Sequence, residues 1–239
     1  MQNNNELLFS LSQSMFFRDI NSEKREYFLN SSEQIFFDKG KMFSDTELRS
    51  HIFIPVTGRV KSYQVNPHTG KEYTIYLFHS GDVFDIVTFI DQHEHEVLFE
   101  VTKGGLFLKI SHELLDIWIK DEPQINANIL FLLSHMLSSV EQNASDLALY
   151  DTFTRLSKLI VRHVSSKPLA TNIKTKVRLK HIDTLSHEEM AQLIGTAREV
   201  VSRHIKLLKE KKILETSKKK HHIINLEALL EHCHLPHKG

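Results

Sequence analysis

The chain has 239 residues, 41% apolar and 25% charged, which excludes disorder of the whole chain and gives room for one large domain or two modest ones. No apolar run approaches the ~20 residues of a membrane span, and the N-terminus lacks the basic stretch and apolar core of a signal peptide. The zero net charge is uneven: residues 1–150 carry 12 basic and 21 acidic side chains, residues 151–239 carry 18 and 9, so an acidic body precedes a basic, polyanion-facing segment.

Residues 5–30 predict short helices, because Leu7, Leu8, Leu11, Met15 and Phe16 fall at three- and four-residue spacing. From 33 to 110 the texture turns to short β-rich runs at 34–37, 51–54, 59–63, 73–78, 97–101 and 106–110. Turn residues separate them, among them Lys39-Gly40, Thr57-Gly58, Thr69-Gly70, Ser80-Gly81-Asp82 and Gly104-Gly105. Short strands with glycine turns and no long helix between them predict an antiparallel roll or barrel.

Ser111 starts a helix with Glu113 in its first turn, and Asp121-Glu122-Pro123 breaks it. A longer helix runs to about residue 149. Along it Ile129, Met136 and Asn143 repeat every seven residues, and so do Leu133, Val140 and Leu147 three positions later. The two series predict an a/d coiled-coil seam with Asn143 fixing register, in preference to a face that only covers the roll. Asp151-Thr152 opens a further helix to about Ser166, and the stretch 167–184 is polar and basic with some strand character at Val177, Leu179 and Ile182.

Residues 186–206 predict a helix-turn-helix. Ser186 and Glu189 form a capping box, Met190 and Ile194 face inward, and Ala191 is small enough for a second helix to approach. Gly195 stands where the turn needs positive φ. Thr196 is expected to cap the second helix, whose inward face is Val201, Ile205 and Leu208. Its outward face holds Arg198, Glu199, Ser202, Arg203 and Lys206. Arginine donates to guanine O6 and N7, glutamate accepts from cytosine N4, and serine can contact either kind of base edge. Arg198, Glu199, Ser202 and Arg203 are therefore the expected base readers. Thr196, Lys206, Lys218, Lys219 and Lys220 are the expected phosphate contacts. The apolar runs 213–214 and 223–224 flank a basic turn, the pattern of a β-wing laid along a phosphate backbone.

At these residues the chain resembles the Crp/Fnr superfamily of bacterial transcription regulators, over nearly its whole length. The resemblance runs through Gly58-Arg59-Val60-Lys61, Gly70-Lys71-Glu72 and Ser80-Gly81-Asp82-Val83-Phe84, then residues 147–156, then Arg198-Glu199-Val200-Val201-Ser202-Arg203. It implies an α+β protein in three parts: an N-terminal antiparallel β-roll of the cyclic-nucleotide-binding type at 1–122, a dimerisation helix at 123–150, and a C-terminal winged helix-turn-helix at 151–239. It also implies a homodimer reading a palindrome in double-stranded DNA, with half-sites about one helical turn, ~34 Å, apart; the single cysteine, Cys233, points to the reducing cytoplasm. Arg203 would read a guanine in a TGA-like core, and Glu199 the complementary strand. RNA polymerase would be a partner if the protein activates.

The departures bear on the signal. Relatives that bind cyclic nucleotides carry Phe-Gly-Glu and then Arg-Ser or Arg-Thr; here the stretch is Phe84-Asp85-Ile86, with no arginine between Arg59 and Arg155. A bidentate phosphate partner is missing, and Val140-Glu141 stands where the cyclic-AMP receptor type has its purine-contacting pair. Cyclic-AMP control is not expected. The single cysteine, Cys233, excludes a four-cysteine iron–sulfur cluster within one chain. A haem or other small ligand in the roll, a redox switch at Cys233, and control by abundance with no ligand remain open, and the last is preferred. A rival from another class is a metal-dependent, cupin-like enzyme built on His93, His95 and Glu100. It lacks a second motif and leaves the recognition helix unexplained, so no catalytic constellation and no metal site are expected. His232-Cys233-His234 with His237 reads as a polar tail rather than a chelate.

Overall fold

A computed structural model describes residues 7–8, 11–93, 95–164, 177–179, 182–217 and 220–233. They fall into two compact units: one of residues 1–65 and 75–140, the other of residues 66–74 and 141–239. No helix among the described residues is long and apolar enough to cross a membrane.

The first unit begins with helix α1 (Ser22–Ser31), capped by Asn21, whose side chain accepts from Lys24 N. Two three-stranded antiparallel sheets follow. β1 (Glu33–Phe37), β6 (Gly105–Ser111) and β2 (His51–Pro55) form one, in the order β1-β6-β2. β4 (Glu72–Phe78), β3 (Arg59–Val65) and β5 (Leu98–Lys103) form the other, in the order β4-β3-β5. All six strands stand where the short β-rich runs between turn residues predict them. Between the sheets lies a cluster built on phenylalanine: Phe37, Phe53 and Phe107 from one sheet, Phe78 and Phe99 from the other, with Phe43 and Phe84 from the connections. Phe84 is the hub, with ring centroids 5.1 Å from Phe43, 5.4 Å from Phe53, 5.6 Å from Phe78 and 5.5 Å from Phe99. Such offset and edge-on pairs add to the burial of area.

Two short helices, α2 (Asp45–Leu48) and α3 (Ile86–Asp91), interrupt the roll. Asp85, just before α3, takes a left-handed φ of 65° and is 7% exposed. One of its carboxylate oxygens accepts from Thr88 Oγ1 at 2.6 Å, and the other is buried with no hydrogen-bond partner. A second core lies on the far side of β2 and β6. Phe16, Phe17, Phe28 and Trp118 meet there with Leu115 from helix α4 (His112–Asp121) and Ile125, Ile129 and Leu132 from helix α5 (Gln124–Leu149).

The burial along α5 corrects the expected seam. Ile129 is 2% exposed inside its own core, Leu133 and Met136 pack partly on the roll, and Asn143 Oδ1 accepts from Arg162 Nη1 at 2.9 Å. Among the exposed apolar positions are Leu130, Leu137 and Ala144, with Val140 and Leu147; Phe131 and Leu149 are exposed as well, off this heptad. Of the 133/140/147 series, Val140 and Leu147 are exposed while Leu133 is half-buried against the roll, and the series exposed beside them is 130/137/144, one residue on from 129/136/143. Both fit a heptad, and only packing against the roll decides which face is free.

In the second unit, after the end of α5, stands helix α6 (Thr152–Arg162), capped by Asp151, which accepts from Thr154 N at 2.8 Å. The helix ends at Arg162, earlier than Ser166. β7 (Val177–Arg178), α7 (His187–Ile194), α8 (Arg198–Glu210), β8 (Leu214–Ser217), β9 (Lys220–Ile223) and α9 (Leu226–Glu231) complete it, with sheet order β7-β9-β8.

Candidate nucleic-acid interface

The interface is built from α7, the turn after it, α8 and the β8–β9 hairpin. Ser186 and Glu189 form a capping box at the start of α7: Ser186 Oγ accepts from Glu189 N at 3.2 Å, and Glu189 Oε2 accepts from Ser186 N at 2.8 Å. Gly195 ends the helix at φ 66°, the left-handed conformation that only glycine adopts without strain. Thr196 does not cap α8. The cap residue is Ala197, which has no side-chain acceptor, while Thr196 N donates to Ala191 O at 2.9 Å. The tight turn brings Thr196 back onto α7, so the helix starts one residue later.

Met190, Ala191 and Ile194 of α7 face Val201, Ile205 and Leu208 of α8, and all six are buried. That apolar contact fixes which side of α8 looks outward. Arg198, Glu199, Arg203 and Lys206 are exposed on that side. None of Arg198, Glu199 or Arg203 is held in an ion pair among the described residues, and Lys206 lies 3.8 Å from Glu210. Ser202 is different. It is half-buried, and its Oγ lies 2.8 Å from His187 Nδ1. His187 in turn stacks on His221 of β9, ring centroids 6.1 Å apart and planes 22° apart. Burial, Lys209 and Arg198 hold the His187 imidazole below its ordinary range. Burial with Lys209 pushes His221 down to about 4.

On the other side, His204 ties α8 to α6: its Nε2 lies 2.8 Å from Thr152 Oγ1, and its ring meets Phe153 edge-on. β8 and β9 pair antiparallel from Leu214↔Ile223 to Ser217↔Lys220. Of the expected phosphate contacts, Lys220 opens β9, while Lys218 and Lys219 lie outside the described residues.

Sequence reasoning missed two features of this unit. Asp146 of α5 is 5% exposed and receives Lys158 Nζ at 2.6 Å and the guanidinium of Arg162. A single acid in an otherwise apolar and small-residue stretch was the available signal. His187 was also not singled out, because a histidine beside a capping serine carries no pattern of its own.

The residues of the metal-enzyme alternative do not converge. Glu100 pairs with Lys61 Nζ at 3.0 Å, and His95 Nε2 lies 3.0 Å from Asp91 Oδ2. Among the described residues no group of three histidine, cysteine or acidic side chains could hold a metal. Cys233 is 1% exposed, its Sγ donates to Leu229 O, and burial pushes its thiol up to about 11, which disfavours the thiolate that redox exchange needs. His234 and His237 lie outside the described residues.

Residues 154–232 match the model of the Crp-like helix-turn-helix domain. The chain is 25% identical over 162 residues to a CRP-like cAMP-activated global transcriptional regulator of Mycobacterium tuberculosis, covering 68% of this chain and 70% of that protein. Among solved structures, a CooA mutant from Carboxydothermus hydrogenoformans shares the fold with a TM-score of 0.71 at 22% identity, covering 86% of this chain and 89% of that one. The c-di-GMP responsive global regulator CLP of Xanthomonas campestris does so with a TM-score of 0.65 at 21% identity, covering 86% and 99%.

Proposed function

We propose that the chain is a Crp/Fnr-type transcription regulator with a DNA-binding helix-turn-helix, working in the cytoplasm as a homodimer on a palindromic site with a TGA-containing core. The observation that carries this reading is the exposed row Arg198, Glu199 and Arg203, on a helix whose opposite face is buried. Arg203 reads guanine O6 and N7, and Glu199 accepts from cytosine N4 on the complementary strand. Arg198 joins them at the base edges, and Lys206 holds the phosphate backbone. The exposed apolar positions of α5 at heptad spacing, Leu130, Leu137, Val140, Ala144 and Leu147, support pairing with a second copy. Pairing would place two recognition helices in successive major grooves. RNA polymerase is the further partner if the protein activates.

The roll works without cyclic AMP. The region that follows Arg59 holds no arginine before Arg155, so a bidentate phosphate partner is lacking, and phenylalanine side chains fill the space between the sheets. Output is set by the amount of protein.

Fluorescence anisotropy of the purified, ligand-free protein tests both statements. A duplex with palindromic TTGA-type half-sites should bind selectively over a scrambled duplex at physiological salt. Equal binding to both would overturn the DNA reading. Selective binding that requires added cyclic AMP would overturn the ligand-free reading.

A further inference from the structure

We propose that His187 fixes the hydrogen-bonding polarity of Ser202, making it an acceptor in the groove, so that Ser202 selects bases that donate. This inference rests on the reading of α8 as the recognition helix. It adds a specificity-setting residue outside that helix.

The argument starts from one hydroxyl. Serine has one O–H donor and two acceptor lone pairs, and the rotor is free unless a neighbour claims it. Ser202 lies on the outward face between Glu199 and Arg203, and its Oγ is 2.8 Å from His187 Nδ1. His187 is the first residue of α7, directly after the capped Ser186, so the capping box holds its backbone. Its ring is held on the other side by the stack on His221. Two positive side chains of α8, Arg198 and Lys209, bear on the imidazole and, with burial, keep it neutral. His221, itself facing Lys209, His222 and Asp183, stays neutral as well.

The neutral imidazole is assigned its proton on Nε2, the tautomer that offers a lone pair at Nδ1. Ser202 then donates its only hydrogen to His187, and what remains for the groove is lone pairs. An oxygen that can only accept suits cytosine N4–H2 and adenine N6–H2. It does not suit guanine O6 and N7 or thymine O4. Without His187 the hydroxyl turns freely and meets either class.

His187 is thus a positioning residue, and its role shows in base preference rather than in affinity. The experiment measures binding of the full-length protein to duplexes carrying each base pair in turn, symmetrically, at every half-site position. The position read by Ser202 is the one whose preference Ser202→Ala abolishes. There the native protein should prefer adenine or cytosine over guanine or thymine on the contacted strand by roughly five- to tenfold, the worth of one hydrogen bond. His187→Ala should bring that ratio to within about twofold. His187→Asp, an acceptor-only side chain at the same place, should restore it, whatever it does to overall affinity. Arg203-dependent discrimination of guanine should survive in both variants, which reports that the helix still docks. A preference unchanged in His187→Ala overturns the proposal, and so does a native preference for guanine or thymine. Native protein that distinguishes no base at any position overturns the DNA reading itself, and the proposal with it.

Discussion

The roll and the helix-turn-helix unit use the same kinds of charged side chain to opposite ends. In the roll, Arg59 and Lys61 of β3 are 8% and 6% exposed. Arg59 Nε donates to Thr102 Oγ1 at 2.9 Å, and Lys61 Nζ pairs with Glu100 and lies 4.1 Å from the Tyr63 ring centroid. These cations are claimed by their own chain. On α8, Arg198 and Arg203 are exposed and outside any ion pair among the described residues. A buried charge must be matched where it stands, because leaving it unpaired costs several kcal/mol. An exposed one is left free for a polyanion at little folding cost. Net charge by segment therefore points to the binding unit, but it takes burial to say which cations are available.

If that contrast holds, damage to the roll should read as lost stability and damage to α8 as lost base reading. The largest effect should come from Phe84→Ala, which empties the hub of the phenylalanine cluster. We expect a loss of about 3–5 kcal/mol in chemical denaturation. A loss below about 1 kcal/mol would mean the cluster repacks around the gap. Next, Arg203→Ala should cost ~1–3 kcal/mol of discrimination at its guanine with no change in denaturation midpoint. Uniform weakening on all sequences would show that Arg203 grips phosphate instead.

A third test sharpens the contrast through pH. Burial pushes the Asp85 carboxyl up to about 6, against an ordinary 3.8. The folded roll therefore binds more protons than the unfolded chain between about pH 4 and 6, and stability falls as pH rises through that window. We expect the roll to gain about 1–2 kcal/mol from Asp85 on going from pH 8 to pH 5. Asp85→Asn should flatten that dependence in parallel denaturation series, and an unchanged slope would assign it to other groups. The smallest effect is expected from Lys206→Ala. Binding should weaken alike on specific and scrambled duplexes, and the slope of log affinity against log salt should fall by about one. A change of base preference would move Lys206 among the readers.

Much of this architecture was legible because its signals are local. The roll strands are short β-rich runs, the first five of them followed by glycine turns, and the Ser186–Glu189 box and Gly195 mark the two ends of α7 with residues that have one structural use. The misses are tertiary. Ile129 and Leu130 are adjacent apolar residues that both fit a heptad, and the contact of Ile129 with Trp118's core, invisible in a linear pattern, decides between them. Thr196 has the right chemistry for a cap, yet the turn geometry hands that position to Ala197. The Asp146 cluster and the His187–Ser202 pair join residues 12 to 16 positions apart, across helix ends that a pattern of spacing does not connect.

The free heptad of α5 has a consequence for dose response. Under the pairing proposed here, the species that reads a palindrome forms from two chains, so below the dissociation constant of the dimer its concentration rises with the square of the protein's. Doubling synthesis would then raise promoter occupancy about fourfold until pairing saturates, a steepness obtained from helix association alone. A repressed or activated gene would respond to the regulator's copy number as to a threshold, with the apolar face of one helix setting where that threshold lies.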